Sequence, residues 1–285
     1  MKKEVVHVLE INNLTKKFKK MTAVNDFSFN FDYGVYGILG PNGAGKTTLM
    51  RCIVGLYNYT GNIKIDSVNN RKQASIIGYL PQKFGLFPNL TSYEMLKYFA
   101  LEKEIGKDVI DEEIMQCLKI VGLEDKKDKK CASLSGGMIR RLGIAQAILG
   151  KPSVIILDEP TAGLDPEERI RFKNIIAGLE NTTVLLSTHI VSDVEEVCNR
   201  VLVFDKGDLV FNGNIKDITS FATNRIYSLP ASQKSEIKGG FTVQSNFEED
   251  GERYIKIIAD QPQDDLKSIQ ATLEDGYICL LRSRK

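Results

Sequence analysis

Apolar and polar residues alternate along the first third of the chain. Val5 to Ile11 alternates, and Phe27-Ser28-Phe29-Asn30-Phe31 does so with its aromatic residues on one face, as in a half-buried strand. Val35-Tyr36-Gly37-Ile38-Leu39 is a continuous apolar strand that runs into a glycine-rich stretch. Thr47 to Val54 contains no breaker before Gly55 and predicts a helix. From Ser92 to Leu149 helix formers dominate. The interruption at Lys126–Lys130 is broken by Asp128 and carries no aromatic residues, so it predicts a solvated turn. From Val154 onward, strands at Val154–Leu157, Thr183–Ser187 and Arg200–Phe204 alternate with helical stretches at Pro166–Leu179 and Val191–Cys198. Such alternation implies a largely parallel sheet covered by helices. The pattern changes near Ser220. Residues 225–285 hold 9 Lys+Arg and 10 Asp+Glu around short strand candidates such as Tyr254–Ile258, which predicts a small α+β appendage and no basic arm.

Composition narrows the class. Over 285 residues, 42% are hydrophobic and 26% charged, the balance of a globular chain with material for a buried core. Lys+Arg 38 against Asp+Glu 37 gives a net charge of +1 and no overall bias towards polyanions. The longest apolar runs are strand-sized, far short of the ~20 residues that span a bilayer. Met1–His7 alternates and contains Glu4, so no signal peptide is expected there. The five cysteines (52, 117, 131, 198, 279) are scattered without a C-x-x-C pair, which fits reduced thiols better than a disulfide scaffold or zinc ribbon.

The glycine-rich stretch carries the first chemistry. Gly40-Pro41-Asn42-Gly43-Ala44-Gly45-Lys46-Thr47 fits G-x-x-x-x-G-K-[ST] in full, with a strand before it and a helix after it. Glycines at these spacings let backbone N–H groups turn inward around phosphate oxygens, and the helix start adds its positive end. Lys46 is expected to reach the β- and γ-phosphates, and the Thr47 hydroxyl to ligate Mg²⁺. The chain is therefore expected to bind a nucleoside triphosphate.

Three further segments separate it from other phosphate-loop proteins. After Leu134-Ser135-Gly136-Gly137-Met138, apolar residues at 138, 142, 145 and 149 recur at helical spacing, so Ser135 reads as an N-cap followed by two glycines. A helix start of this kind is a second candidate anion site. The strand Val154-Ile155-Ile156-Leu157 ends in Asp158-Glu159, two adjacent carboxylates that stability alone does not explain. Asp158 suits Mg²⁺ through water and Glu159 suits activation of an attacking water. The strand Leu185-Leu186-Ser187 ends in Thr188-His189, one of only two histidines, at the same edge of the expected sheet.

Together these motifs resemble the nucleotide-binding subunit of an ATP-binding cassette (ABC) transporter over residues 7–215. The resemblance implies a P-loop α/β cassette of residues 1–220. It would hold a mixed sheet core, an N-terminal antiparallel β subdomain and a helical signature subdomain near 84–150, followed by the accessory domain at 221–285. It implies that Asn42, Gly43, Ala44, Gly45, Lys46, Thr47 and Thr48 hold ATP, with Phe18 stacked on the adenine. Ser135, Gly136 and Gly137 would bind the ATP of a second cassette, and Asp165 in the D-loop would couple the two sites. Glu159, His189 and Gln82 would be catalytic, with Mg²⁺ held by Thr47, Gln82 and Asp158. Two departures stand out: Met138 where the commonest signature has Gln, and Phe18 for the more usual Tyr. Met138, the run from His189 to Glu195 and the segment 271–277 resemble bacterial exporter-type ATPases of the ABC-2 class, which serve drug or antimicrobial-peptide efflux, and the implied cargo is a drug, peptide or lipid-like substrate. The partners implied are a transmembrane permease docking near Gln82 and residues 83–93, and a second ABC subunit, identical or related. The implied location is cytoplasmic, on the inner face of the cell membrane. Soluble ABC ATPases acting on DNA or ribosomes are the alternative. They usually carry paired cassettes, a coiled-coil insertion or a basic linker, none of which is read here, so no nucleic acid is expected. A regulatory module with degenerate catalysis would not need Lys46, Asp158, Glu159 and His189 together.

Overall fold

The structure is a computed structural model that describes residues 8–65, 77–263, 266 and 268–284. The start of the first alternating segment, Val5 to His7, lies outside the described residues, as do Asp264 and Asp265. The chain divides into two compact units, Met1–Asn212 and Gly213–Lys285. The break falls ahead of the change in composition near Ser220, because the short helix after Asn214 packs with the residues that follow it.

In the first unit, β1 (Leu9–Phe18), β2 (Met21–Phe31) and β4 (Thr60–Ile65) form an antiparallel sheet in the order β2-β1-β4. A second sheet has the order β5-β6-β7-β3-β8-β9, built from β3 (Gly34–Leu39), β5 (Ile77–Leu80), β6 (Val154–Asp158), β7 (Thr183–Ser187), β8 (Arg200–Asp205) and β9 (Asp208–Gly213). Its pairs from β5 through β6, β7 and β3 to β8 are parallel. Strands β6 and β7 are buried at every residue, as parallel strands covered on both faces must be. The alternating aromatics fill the space between the two sheets. Phe27 meets Phe204 at 5.3 Å, Phe31 meets Tyr36 at 4.9 Å, and Leu49 and Met50 of α1 (Lys46–Ile53) join the same core.

Register decides where the chemistry falls. Ile38 and Asp158 both pair with Ser187, so β3, β6 and β7 end at one level. The loop from Gly40, the residue Glu159 and the Thr188-His189 step therefore emerge together at the carboxyl ends of parallel strands, where α/β proteins bind ligands.

Between β5 and β6 lie α2 (Ser92–Glu102), α3 (Ile110–Ile120) and α4 (Gly136–Ile148). Thr91 and Glu94 close α2 with a reciprocal capping box. Lys127, Lys129 and Lys130 are exposed, as the solvated-turn reading requires. Helix α4 is buried from Arg140 onward, and it approaches β5 so closely that a Cβ on Gly78 would lie 1.9 Å from the Ala147 carbonyl oxygen. Helices α5 (Pro166–Ala177) and α6 (Val191–Val197) complete the unit. All five cysteines are buried and unpaired. Among the described residues, no helix is long and apolar enough to cross a membrane.

The second unit carries α7 (Ile215–Thr219), β10 (Ile226–Pro230), β11 (Phe241–Glu249), β12 (Glu252–Ala259) and α8 (Leu273–Arg282), with an antiparallel sheet in the order β10-β12-β11. It is the α+β appendage. Tyr227, Leu229, Ile255 and Ile257 form one small core, and Ile226, Ile258 and Cys279 another. Thr272 and Asp275 make a capping box for α8, and Asp275 also accepts two hydrogen bonds from Lys256, at 2.9 and 3.0 Å.

Candidate active site

The loop between β3 and α1 turns on glycines the backbone cannot replace. Gly45 adopts φ 108°, and a Cβ there would lie 2.2 Å from the Ala23 carbonyl oxygen. Asn42 and Gly43 are exposed, whereas Ala44 is buried and its carbonyl accepts the Gly207 N–H at 3.0 Å. Lys46 opens α1 and is buried. Its ammonium donates to the carbonyls of Gly40 (2.6 Å) and Pro41 (3.2 Å). Burial lowers its pKa below the ordinary lysine value, and the nearby Glu159 and Asp158 charges act in the opposite direction. Thr48, the third residue of α1, is half-buried.

The strand ends supply the acidic half. Asp158 is fully buried, and its Oδ1 accepts hydrogen bonds from the Thr47 hydroxyl (3.0 Å) and the Ser187 hydroxyl (2.6 Å). Its Oδ2 is buried and has no hydrogen-bond partner among the described residues. Glu159 sits at φ 52°, in the left-handed region, with its N–H donating to the Ser187 carbonyl (3.0 Å) and hydroxyl (3.1 Å). Its Oε2 lies 2.6 Å from His189 Nδ1. The imidazole is otherwise exposed, so one ring nitrogen holds the carboxylate while the rest of the ring faces outward. Lys46, Thr47, Asp158, Glu159 and His189 are thus brought into one connected cluster.

Gln82 is attached to that cluster through its main chain. Arg140 of α4 is buried, and its guanidinium donates to the carbonyls of Pro81 (3.2 Å), Gln82 (3.1 Å), Asp158 (3.1 Å), Glu159 and Pro160 (2.7 Å). The Gln82 residue is exposed. Phe18 ends β1, edge-on to Tyr57 at 5.3 Å, with Lys16 Nζ 4.8 Å from its ring centre. Tyr57 in turn accepts a hydrogen bond from Arg51 of α1 at 2.7 Å, which ties the aromatic pair to the helix that follows Lys46.

Ser135 and Asp165 each cap a helix. Ser135 caps α4, its hydroxyl accepting the Met138 N–H at 3.3 Å, and it is exposed together with Gly136. A Cβ on Gly136 would meet nothing within 4 Å, whereas one on Gly137 would lie 3.1 Å from the Glu168 side chain. Asp165 caps α5, accepting the Glu168 N–H at 2.9 Å, with Pro166 at the first helical position.

Sequence reasoning missed Ser187, Arg140 and Tyr57. Ser187 had a usable signal, since it is the last residue of an apolar strand and stands two before His189. Tyr57 had a weaker one, as an aromatic residue just past the helix-ending Gly55. Arg140 had none, because its partners are carbonyls up to 59 residues away.

A phosphate loop at the end of a parallel strand, two strand-end carboxylates and a neighbouring histidine define a P-loop nucleotide-hydrolysing cassette. The comparisons agree. A profile of the ABC transporter family matches residues 24–162. The bacitracin transport ATP-binding protein BcrA of Enterococcus faecalis is 34% identical over 74% of this chain and 71% of that protein. The methionine import ATP-binding protein MetN 2 of Bacillus anthracis is 33% identical over 88% of this chain and 83% of that protein. A dimeric ATP-binding cassette solved in a post-hydrolysis state with ADP and phosphate aligns with a TM-score of 0.65 and 26% identity, over 72% of this chain and 98% of the other. The chain belongs to the ABC transporter family, as an ATP-binding subunit of a transport system and an ATPase.

Proposed function

We propose that this chain drives an export permease from the inner face of the cell membrane. In this reading it closes with a second cassette around two ATP molecules. Glu159 orients or deprotonates the attacking water, and His189 holds Glu159 and senses the γ-phosphate. Lys46 and the N–H groups of residues 42–48 hold the phosphates, and Phe18 stacks on the adenine. The observation that carries the hydrolytic part of this reading is the 2.6 Å contact between Glu159 and His189 beside the Thr47–Asp158 bond.

Mg²⁺ fits the residues present. No trio of His, Cys, Asp or Glu gathers for a metal among the described residues, so a cation here relies on phosphate and water ligands, as Mg²⁺ commonly does. Thr47 and Asp158 would hold it, with the unpartnered Asp158 Oδ2 free to accept from a metal-bound water. When bound, it would offset negative charge between the β- and γ-phosphates. Gln82 is assigned to this cation by family resemblance, and its connection to the site runs through Arg140.

Ser135, Gly136 and Gly137 take the partner's ATP in this reading, and Asp165 couples the two composite sites. A groove of about 670 Å³ beside Gln82 supports permease docking. Tyr79, Pro81, Phe84, Phe99, Glu102 and Lys103 contribute to its walls, and the exposed Phe87 and Tyr98 stand nearby in the same aromatic cluster. The name of BcrA and the Met138 signature favour export, while the name of MetN 2 favours import. Purification of the chain from membranes with a polytopic partner, followed by transport in oriented vesicles, decides between them. Normal hydrolysis by Glu159→Gln would remove Glu159 from its role.

A further inference from the structure

At the carboxyl edge of the main sheet strand pairing runs out, because Asp158 and Ser187 are the last paired residues of β6 and β7, although the Glu159 N–H still donates to the Ser187 carbonyl. Glu159 nevertheless stays in the left-handed region, which a non-glycine residue keeps only when its surroundings over-determine it. One further constraint comes from α6. Asp193 is fully buried, four residues past His189. Its Oδ2 accepts the Thr161 hydroxyl at 2.6 Å, and its Oδ1 accepts from Arg169 at 2.7 Å. Lys173 Nζ lies 3.9 Å from the same Oδ1 and is itself bound to Glu196 at 2.7 Å.

Each partner adjoins a different catalytic segment. Thr161 stands two residues past Glu159, within successive turns closed by Ala162 N–H to the Glu159 carbonyl (3.3 Å) and Leu164 N–H to the Thr161 carbonyl (3.2 Å). These turns lead straight to Asp165. Arg169 is on the helix that Asp165 caps, its N–H donating to the Asp165 carbonyl at 3.1 Å. The N–H of Asp193 donates to the carbonyl of Ile190, the residue after His189 (3.2 Å).

We infer that Asp193 is a positioning residue for hydrolysis, locking the Glu159 segment to the His189 segment and tying both to the helix that begins at Asp165. This rests on the roles proposed above for Glu159 and His189. Burying a carboxylate is weak evidence for stability, since desolvation offsets much of the attraction. What a carboxylate shared among three elements adds is fixed geometry, through short charge-assisted hydrogen bonds.

The test uses the full chain carrying Thr161→Val, Asp193→Asn or both, with steady-state hydrolysis of Mg-ATP, ATP binding and thermal unfolding measured side by side. Displacement of a catalytic group by even 1 Å is costly, so kcat should fall about 10- to 100-fold in each single variant, with KM and the ATP Kd within about twofold. The double variant should be no worse than the weaker single one, because both lose the same link. An unchanged kcat in Thr161→Val, a KM rising in step with the loss, or losses that multiply would each overturn the inference. Thr161→Val removes one hydroxyl and adds no bulk, so it carries the test alone if Asp193→Asn fails to fold. Glu159→Gln run in parallel separates the two levels. Sustained hydrolysis there defeats the proposed roles, whereas loss there with full activity in Thr161→Val defeats only the link through Asp193.

Discussion

The loop at Lys46 and the start of α4 at Ser135 both present backbone N–H groups at a helix N-terminus, yet they are finished to different degrees. Around Lys46 the chain is closed upon itself. The lysine is buried and bound to two carbonyls, Thr47 reaches Asp158, and Gly45 lies so near β2 that no side chain fits. Around Ser135 the hydroxyl caps its own helix and the next residue faces open space. Gly45 is glycine because this fold demands it. Among the described residues no contact or positive φ requires glycine at Gly136, which leaves room at the helix start for a group from outside the chain. In the proposed dimer that group would be the partner's ATP.

The largest effect tests the finished half. Glu159→Gln keeps the shape of the side chain and removes the proposed base, so kcat should fall by about 10²- to 10⁴-fold while ATP binding persists and a closed dimer accumulates. Single-turnover hydrolysis with size-exclusion chromatography checks both. Next comes a matched pair of alanines. Gly45→Ala places a methyl group on a backbone carbonyl at a positive φ, and should cost about 2–4 kcal/mol in urea unfolding together with most ATP binding. Gly136→Ala should leave stability within about 0.5 kcal/mol, the usual range for a surface change, yet lower kcat at least about tenfold. Full activity in Gly136→Ala would break the comparison. So would a stability loss equal to that of Gly45→Ala. Mixing a Ser135-defective chain with a Lys46-defective chain sharpens it, because one of the two composite sites should survive in the mixed dimer.

The finished half was also the more legible half. Its signals are local: an apolar strand, then glycines or carboxylates, then a helix. Gly40–Thr47 and Asp158-Glu159 could therefore be proposed as site residues from their local pattern, and His189 from its place at the same sheet edge. Register at Ser187 brings those strand ends together, and β-α-β alternation is enough to expect it. The supporting side chains were not legible, because Arg140 and Asp193 act on groups 18 to 59 and 24 to 32 residues away. A charged residue in a helix reads as solvent-facing until the fold buries it. The second unit shows another gap. Thr272 and Asp275, three residues apart, cap helix α8 as a pair, but Lys256 as the partner of Asp275 comes from the sheet and is not visible in the sequence.

The smallest effect concerns the far end of α4, where the contrast with its open start is greatest. Lys103, the residue that follows α2, is buried, and its ammonium donates to the carbonyls of Gln146 (3.1 Å) and Leu149 (2.7 Å), closing the helix that Ser135 begins. Burial lowers its pKa to about 8. Cys117 is the neighbouring ionisable group, and burial raises its thiol to about 12. The folded pKa of Lys103 lies below the unfolded value of about 10.4, so between those limits the unfolded chain binds more protons and stability contributed by this residue rises with pH. Below pH 8 both states are protonated and the burial penalty is present in full. Above about pH 10.4 it is gone, a span of at most about 3 kcal/mol. Urea unfolding of the wild type and Lys103→Met at pH 7 to 10 reports this contribution together with its coupling to Cys117, because the other titrating groups cancel in the difference. The wild type should gain on the variant as pH rises through 8. A difference that is flat, or that falls, would mean that Lys103 keeps its proton at little cost, and that the closed end of α4 is held by a charge as ordinary as any on the surface.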